Sequence, residues 1–174
     1  MFCSRDPRNP LRQPYELTLT GDDQLSTWVL EPGSMTRAIA RYCGERPRVR
    51  VHKSEPDRPE RWEADLLRLP SSRPVFCREI SLRIQDRDVL QARSVAIIGG
   101  SIEPRLRGLG NKPLAELLFV DPLWQREIGP LPLAPRRHRP TPGRVCVWRY
   151  HGRRPGLLLV AEYFLPELLN TPRR

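Results

Sequence analysis

An α+β fold, with helices packed over a single antiparallel sheet, follows from three features of the 174-residue sequence. Apolar residues recur at helical spacing between Leu25 and Tyr42. Strict alternation runs through Phe76–Ile84, and paired extended runs follow at Val89–Ile98, Arg144–Tyr150 and Leu157–Leu165. Only one clear helical pattern falls between those pairs, so strands do not alternate with helices as a parallel sheet requires.

The elements take their limits from local chemistry. Residues 1–15 contain Pro7, Pro10 and Pro14 and few apolar side chains, and read as a flexible arm. Asp22 and Asp23 precede Leu25, Trp28, Val29 and Leu30, which places acidic groups at a helix N-terminus. Pro32-Gly33 stops that helix. Ser34 caps a second one carrying Met35, Ala38, Ile39 and Tyr42, which Gly44 ends. The pair forms an αα-hairpin. Val49 and Val51 suggest a short strand, residues 54–62 a charged loop, and Asp65–Leu69 an apolar stretch of undefined type.

In Phe76–Ile84 the even positions give Phe76, Arg78, Ile80, Leu82 and Ile84, and the odd ones Cys77, Glu79, Ser81 and Arg83. Period two implies one buried and one wetter face. Asp86-Arg87-Asp88 turns the chain, and Val89–Ile98 returns until Gly99-Gly100. Pro113 suits the first turn of a helix with Leu114, Leu117, Leu118 and Phe119 on one face. Residues 129–143, rich in proline and arginine, read as a long loop. A last hairpin turns at 151–156 and stops at Pro166. The domain is expected over 16–168, with a tail at 169–174.

Composition excludes several classes. The chain is long enough to bury a core without disulfides or metals. No apolar run approaches the roughly 20 residues that cross a bilayer, so no integral membrane segment is expected. The start, Met1–Pro7, lacks an apolar h-region; export is not expected, and a cytoplasmic location is. Cys3, Cys43, Cys77 and Cys146 form no C-x-x-C pair, and no histidine stands at ligand spacing from them, so zinc is not expected and reduced thiols are.

The net charge is +10, and Lys53 and Lys112 are the only lysines. Such a chain suits an anionic partner: nucleic acid, an acidic membrane or a carboxylate metabolite. It is equally compatible with a solvated basic surface. The excess is scattered over 46–53, 136–144, 149–154 and 173–174. No helix carries a basic stripe interleaved with aromatics, so nucleic acid is not the expected partner.

Two charges stand on apolar strand faces. Arg78 shares its face with Phe76, Ile80, Leu82 and Ile84, and Glu162 shares its own with Leu158, Val160 and Phe164. A buried charge must find a counter-charge. Either the two pair with each other, or one strand is a solvated edge, or both line an internal polar pocket. In the last case the guanidinium can fork onto a ligand carboxylate, and the glutamate can bind a hydroxyl or move a proton.

The chain resembles the bacterial chorismate pyruvate-lyase family, in four pieces that occur in order from about Asp23 to Pro166. They are Leu25–Thr36, with a tryptophan helix followed by Gly-Ser-Met-Thr; Arg78-Glu79-Ile80 with Ala92-Arg93-Ser94-Val95; Leu109–Leu114 with Leu118-Phe119; and Leu157–Pro166. Between Trp124 and Val145 the sequence departs from the family pattern, with Pro130-Leu131-Pro132 through Arg144 in place of a shorter link.

The resemblance implies an antiparallel sheet with a mostly enclosed ligand cavity. It implies conversion of chorismate to 4-hydroxybenzoate and pyruvate, the entry to ubiquinone synthesis, with no metal or organic cofactor. It places ligand residues at Met35, Arg78, Leu114 and Glu162, with Arg78 and Glu162 catalytic. Met35 and Leu114 are also what ordinary core packing would supply. Arg78 would clamp the ring carboxylate, Glu162 would meet the C4 hydroxyl, and Arg93 would aid the enolpyruvyl carboxylate. A monomer is expected.

Two other functions fit parts of the sequence. One is a non-catalytic aromatic-acid-binding module, since effector domains of some transcription regulators are similar in fold. Those follow a helix-turn-helix domain, and the roughly 20 residues before the first helix are too few for one. The other is nucleic-acid binding through the 136–154 arginines.

Overall fold

The computed structural model describes Leu19 and residues 24–170. The expected arm at 1–15, Asp22-Asp23 and residues 171–174 of the tail lie outside the described residues. The strands are β1 (Arg48–Asp57), β2 (Val75–Ile84), β3 (Arg87–Ile97), β4 (Trp124–Leu133), β5 (Gly143–Tyr150) and β6 (Gly156–Phe164). The helices are α1 (Gln24–Val29), α2 (Met35–Cys43), α3 (Arg61–Leu66), α4 (Glu103–Gly108), α5 (Ala115–Leu118) and α6 (Pro166–Leu169). All six strands join one antiparallel sheet in the order β1-β2-β3-β6-β5-β4. This is the α+β architecture that the alternating runs predict.

Local chemistry sets the first helices as expected. The Ser34 hydroxyl accepts from Arg37 N at 3.3 Å, and Gly44 closes α2 with φ +69°. The left-handed cap is the conformation glycine adopts without a side-chain penalty. Trp28, Val29, Met35, Ala38 and Ile39 are buried against Ile80, Leu82, Leu90 and Phe164 of the sheet.

Register fixes which side chains share a face. Arg78 lies opposite Ser94, Ala92 opposite Glu162, and Glu162 opposite Arg144. The helix-covered face therefore carries Arg78, Ser94, Glu162 and Arg144 within one band across four strands.

The other face is not the wetter one that alternation suggests. Cys77, Ser81, Val95, Val145, Leu159 and Tyr163 are buried there. Trp62 of α3, with Leu67 just beyond that helix and Leu133 at the end of β4, packs over part of this face.

Five segments differ from expectation, one of them α4, a helix that the sequence pattern did not mark. β1 continues through 54–57, where a loop was expected; it is an edge strand, and Pro56 is tolerated at an edge because fewer ladder bonds are needed. α3 begins with a reciprocal cap between Glu60 and Glu63 rather than with an apolar period. β4 replaces the first part of the expected 129–143 loop; its register shifts twice against β5, at Arg126/Ile128 and Ile128/Leu131, which hides the alternation. Pro166 opens α6, and Leu168 is buried in the core beside Phe164.

Candidate active site

A mostly enclosed cavity lies between the sheet and its covering segments, the start of α2 and the α4–α5 connection. Met35, Arg78, Leu114 and Glu162 all line it, together with Ser34, Ser94, Pro113, Arg126, Arg144 and Trp148. The structure thus brings all four sequence-predicted positions to one chamber.

Arg78 projects from the middle of β2 and is 1% exposed. It does not pair with Glu162. Its Nη2 donates to the carbonyls of Gly110 and Lys112, at 2.9 Å each. Gly110 takes φ +50°, in the left-handed region where glycine is favoured. Nη1 is buried with no hydrogen-bond partner, and no carboxylate pairs with Arg78 among the described residues. Burial pulls the guanidinium below its ordinary range. A buried cation of this kind with an unsatisfied donor favours an anion in the cavity.

Glu162 projects from β6 and is answered by Arg144, the residue opposite on β5. Arg144 Nε donates to Glu162 Oε2 at 2.6 Å, and Arg144 is 3% exposed. Arg144 Nη1 also donates to the carbonyls of Glu31 at 2.5 Å and Val29 at 3.5 Å. Burial acts to lower the Arg144 pKa, but the Glu162 charge and hydrogen bond outweigh it and the net shift is upward. One guanidinium therefore fixes the carboxylate and ties the α1–α2 link to the sheet. Strand proximity helps: a Cβ on Gly143 would sit 2.1 Å from the Glu162 carbonyl oxygen.

Met35 opens α2 and is buried, whereas Leu114 sits half-buried at the start of α5. Their side chains help wall the cavity.

Arg93 is not in this chamber, contrary to its expected role. It pairs with Glu79 across β2–β3, and so faces the opposite side from Arg78. There it donates to Glu63 at 2.7 Å, Asp57 at 2.9 Å, Glu79 at 2.8 Å and the Cys77 sulfur at 2.8 Å. Burial raises the Glu63 carboxyl, and Arg93 only partly offsets this. Burial also pushes the Cys77 thiol up to about 12. The cluster anchors α3 to the sheet.

Two charged lining residues were given no place in the pocket by the sequence analysis, Arg126 and Arg144. Arg144 shares parity with Cys146, Trp148 and Tyr150, and the β5–β6 register would have placed it beside Glu162. No group of three or more His, Cys, Asp or Glu side chains is placed to hold a metal among the described residues. No described helix is long and apolar enough to cross a membrane.

Comparison with known proteins agrees with the sequence resemblance. Residues 12–173 match the family described as chorismate lyase. A probable chorismate pyruvate-lyase of Methylococcus capsulatus is 37% identical over 162 residues, covering 85% of this chain and 98% of the relative. A probable chorismate pyruvate-lyase of Marinobacter nauticus is 37% identical over 152 residues, covering 84% and 79%. Among solved structures, PhnF from Mycobacterium smegmatis is similar in fold, with a TM-score of 0.50 at 14% identity, over 80% of this chain and 67% of that one.

Proposed function

The chain belongs to the chorismate lyase family, and from that premise we propose that it converts chorismate to 4-hydroxybenzoate and pyruvate and so feeds ubiquinone synthesis. The observation that carries this reading is the Arg78 guanidinium, buried in the cavity wall with one donor unsatisfied and no carboxylate paired to it among the described residues. Its geometry suits the ring carboxylate of an aromatic acid. Glu162 stands two strands away on the same face, roughly 10 Å at backbone level, where it suits the para hydroxyl.

The reaction asks little covalent chemistry of the protein. The C4 hydrogen leaves as a proton and its electron pair enters the ring. The C3–O bond breaks and its pair departs with the enolate of pyruvate, which takes up a proton on carbon. The ring becomes aromatic. The protein orients the diene through Arg78, excludes water, and offers Glu162 to bind the C4 hydroxyl and assist the proton's departure. Met35 and Leu114 hold the ring from the cover side, with their backbone groups within reach of the ligand.

The cavity, about 50 Å³, is smaller than the roughly 150 Å³ in which a core holds benzene. On this reading the covering segments, α2 and the α4–α5 connection, give way to seat chorismate.

The alternative nucleic-acid reading has less support. Four arginines of the 136–154 region are engaged with carboxylates: Arg136 with Glu60, Arg139 with Glu79, Arg144 with Glu162 and Arg149 with Glu127. Incubation with chorismate tests the proposal directly. Equimolar 4-hydroxybenzoate, followed in the ultraviolet, and pyruvate, followed by a coupled assay, are expected. Tight binding of aromatic acids with no pyruvate formed would instead make the chain a binding module.

A further inference from the structure

Resting on the lyase reading, we propose that Arg126 is the residue that receives the enolpyruvyl carboxylate and so selects a dicarboxylate over a monocarboxylate. Chorismate carries two carboxylates, and Arg78 accounts for one. Arg93, the other candidate from the sequence, lies on the opposite face of the sheet.

The charged side chains that line the cavity are Arg78, Arg126, Arg144 and Glu162. Three positive charges against one negative leave a formal surplus of two. A dianion balances that surplus; a monoanion leaves one cation uncompensated in a low-dielectric space.

Of the two remaining arginines, Arg144 is committed. Its charge is already paired: Nε serves Glu162, and Nη1 the carbonyls of Glu31 and Val29. Arg126 is not. Its Nη2 donates to Pro32 O at 2.8 Å, but its Nε is buried with no partner. The guanidinium lies 4.8 Å from the Trp148 ring centroid, which limits where its plane can turn.

Position agrees with charge. In the sheet order, Arg78 on β2 and Arg126 on β4 flank Glu162 on β6, each two strands away. Chorismate has the same sequence of groups. The ring carboxylate is at one end, the C4 hydroxyl is para to it, and the enolpyruvyl ether leaves from C3, beside C4. With the carboxylate on Arg78 and the hydroxyl on Glu162, the side chain extends away from Arg78 and toward β5 and β4. Once pyruvate leaves, Arg126 loses its anion while Arg78 keeps the product's. Substrate and product therefore differ at Arg126 alone among the cavity arginines.

The test compares chorismate with 4-hydroxybenzoate, the monocarboxylate, in wild type, Arg126→Gln and Arg126→Lys. Steady-state kinetics gives KM for chorismate, and calorimetry gives Kd for 4-hydroxybenzoate. Loss of a charge-assisted bond from this half-buried guanidinium predicts a rise in KM of about 10- to 100-fold for Arg126→Gln. The Kd for 4-hydroxybenzoate should stay within about twofold, and Arg126→Lys should recover part of the KM loss.

A merely structural role, through Pro32 or Trp148, would weaken both ligands together, and that result overturns the proposal. An unchanged KM overturns it as well. Wild type that makes no pyruvate fails the lyase reading itself, and this proposal with it. If Arg126→Gln does not fold, Arg126→Lys alone decides: its KM should rise several-fold with the product Kd unmoved.

Discussion

Replacing Arg144 by methionine removes a cation that is 3% exposed while leaving a side chain of similar length. It strands Glu162, whose side chain is 16% exposed, without its 2.6 Å partner. Breaking a buried ion pair from one side costs about 3–5 kcal/mol. Water at the exposed edge of Glu162 moves the expectation to the lower end. The carbonyls of Glu31 and Val29 also lose their donor, which adds about 1 kcal/mol. A loss of about 3–4 kcal/mol is expected, or a fall in Tm of roughly 8–12 °C for a domain of this size.

Urea unfolding followed by tryptophan fluorescence measures it, with unchanged m as the condition for reading the midpoint as stability. Glu162→Gln should cost less, because Arg144 keeps its carbonyl partners. In the double variant the two losses should fall short of their sum by about 1.5–3 kcal/mol. A loss under about 1 kcal/mol for Arg144→Met, or strict additivity, would refute the view that this pair locks the carboxylate and the α1–α2 link together.

Arg78→Met should retain the wild-type Tm or raise it, since an apolar isostere replaces a buried cation held only by carbonyls; turnover of chorismate should disappear, and a variant with near-normal kcat/KM would remove the carboxylate clamp. Glu162→Gln should slow turnover by about 10²- to 10⁴-fold, the usual worth of acid–base assistance, in a single-turnover assay with folding verified by circular dichroism; full activity would leave Glu162 no part in proton transfer.

Burial holds the Cys77 and Tyr163 side chains up to about 12 and Cys146 up to about 11. These groups are neutral in the fold, so their contribution is complete below their ordinary values near 9 and 10 and is lost as pH rises toward 11–12. Tm should therefore decline steadily between pH 9 and 11, and a flat profile would contradict it. Cys43, half-buried, should also react with iodoacetamide at pH 8 well before Cys77 and Cys146, by mass spectrometry of the labelled peptides.

Sheet residues near the centre were readable from the sequence because period two is rigid. Arg78 and Glu162 each interrupt an apolar row, and both rows turned out to face one cavity. The same arithmetic, carried across the β2–β3 hairpin, would have excluded Arg93: if Ser94 opposes Arg78, its neighbour must point away. What escaped notice lay at edges and ends. β1 and β4 are edge strands, where prolines, charges and register shifts are tolerated and the pattern fades. α3 is held by the buried ions Glu63 and Arg93 rather than by an apolar stripe. Arg144 was hidden among many arginines, and only the strand pairing distinguishes it from those at the surface.

The order of strands has a consequence for how the protein comes into being. β6 is late in the chain yet sits between β3 and β5, at the middle of the sheet. During synthesis the Arg78 hairpin emerges some 80 residues before its carboxylate counterpart. Until Glu162 has cleared the ribosome, the earlier strands present an open edge and half a chamber. The reactive pocket is thus the closing act of folding, and truncation before β6 leaves a chain with an unpaired sheet edge and no carboxylate to answer its arginines.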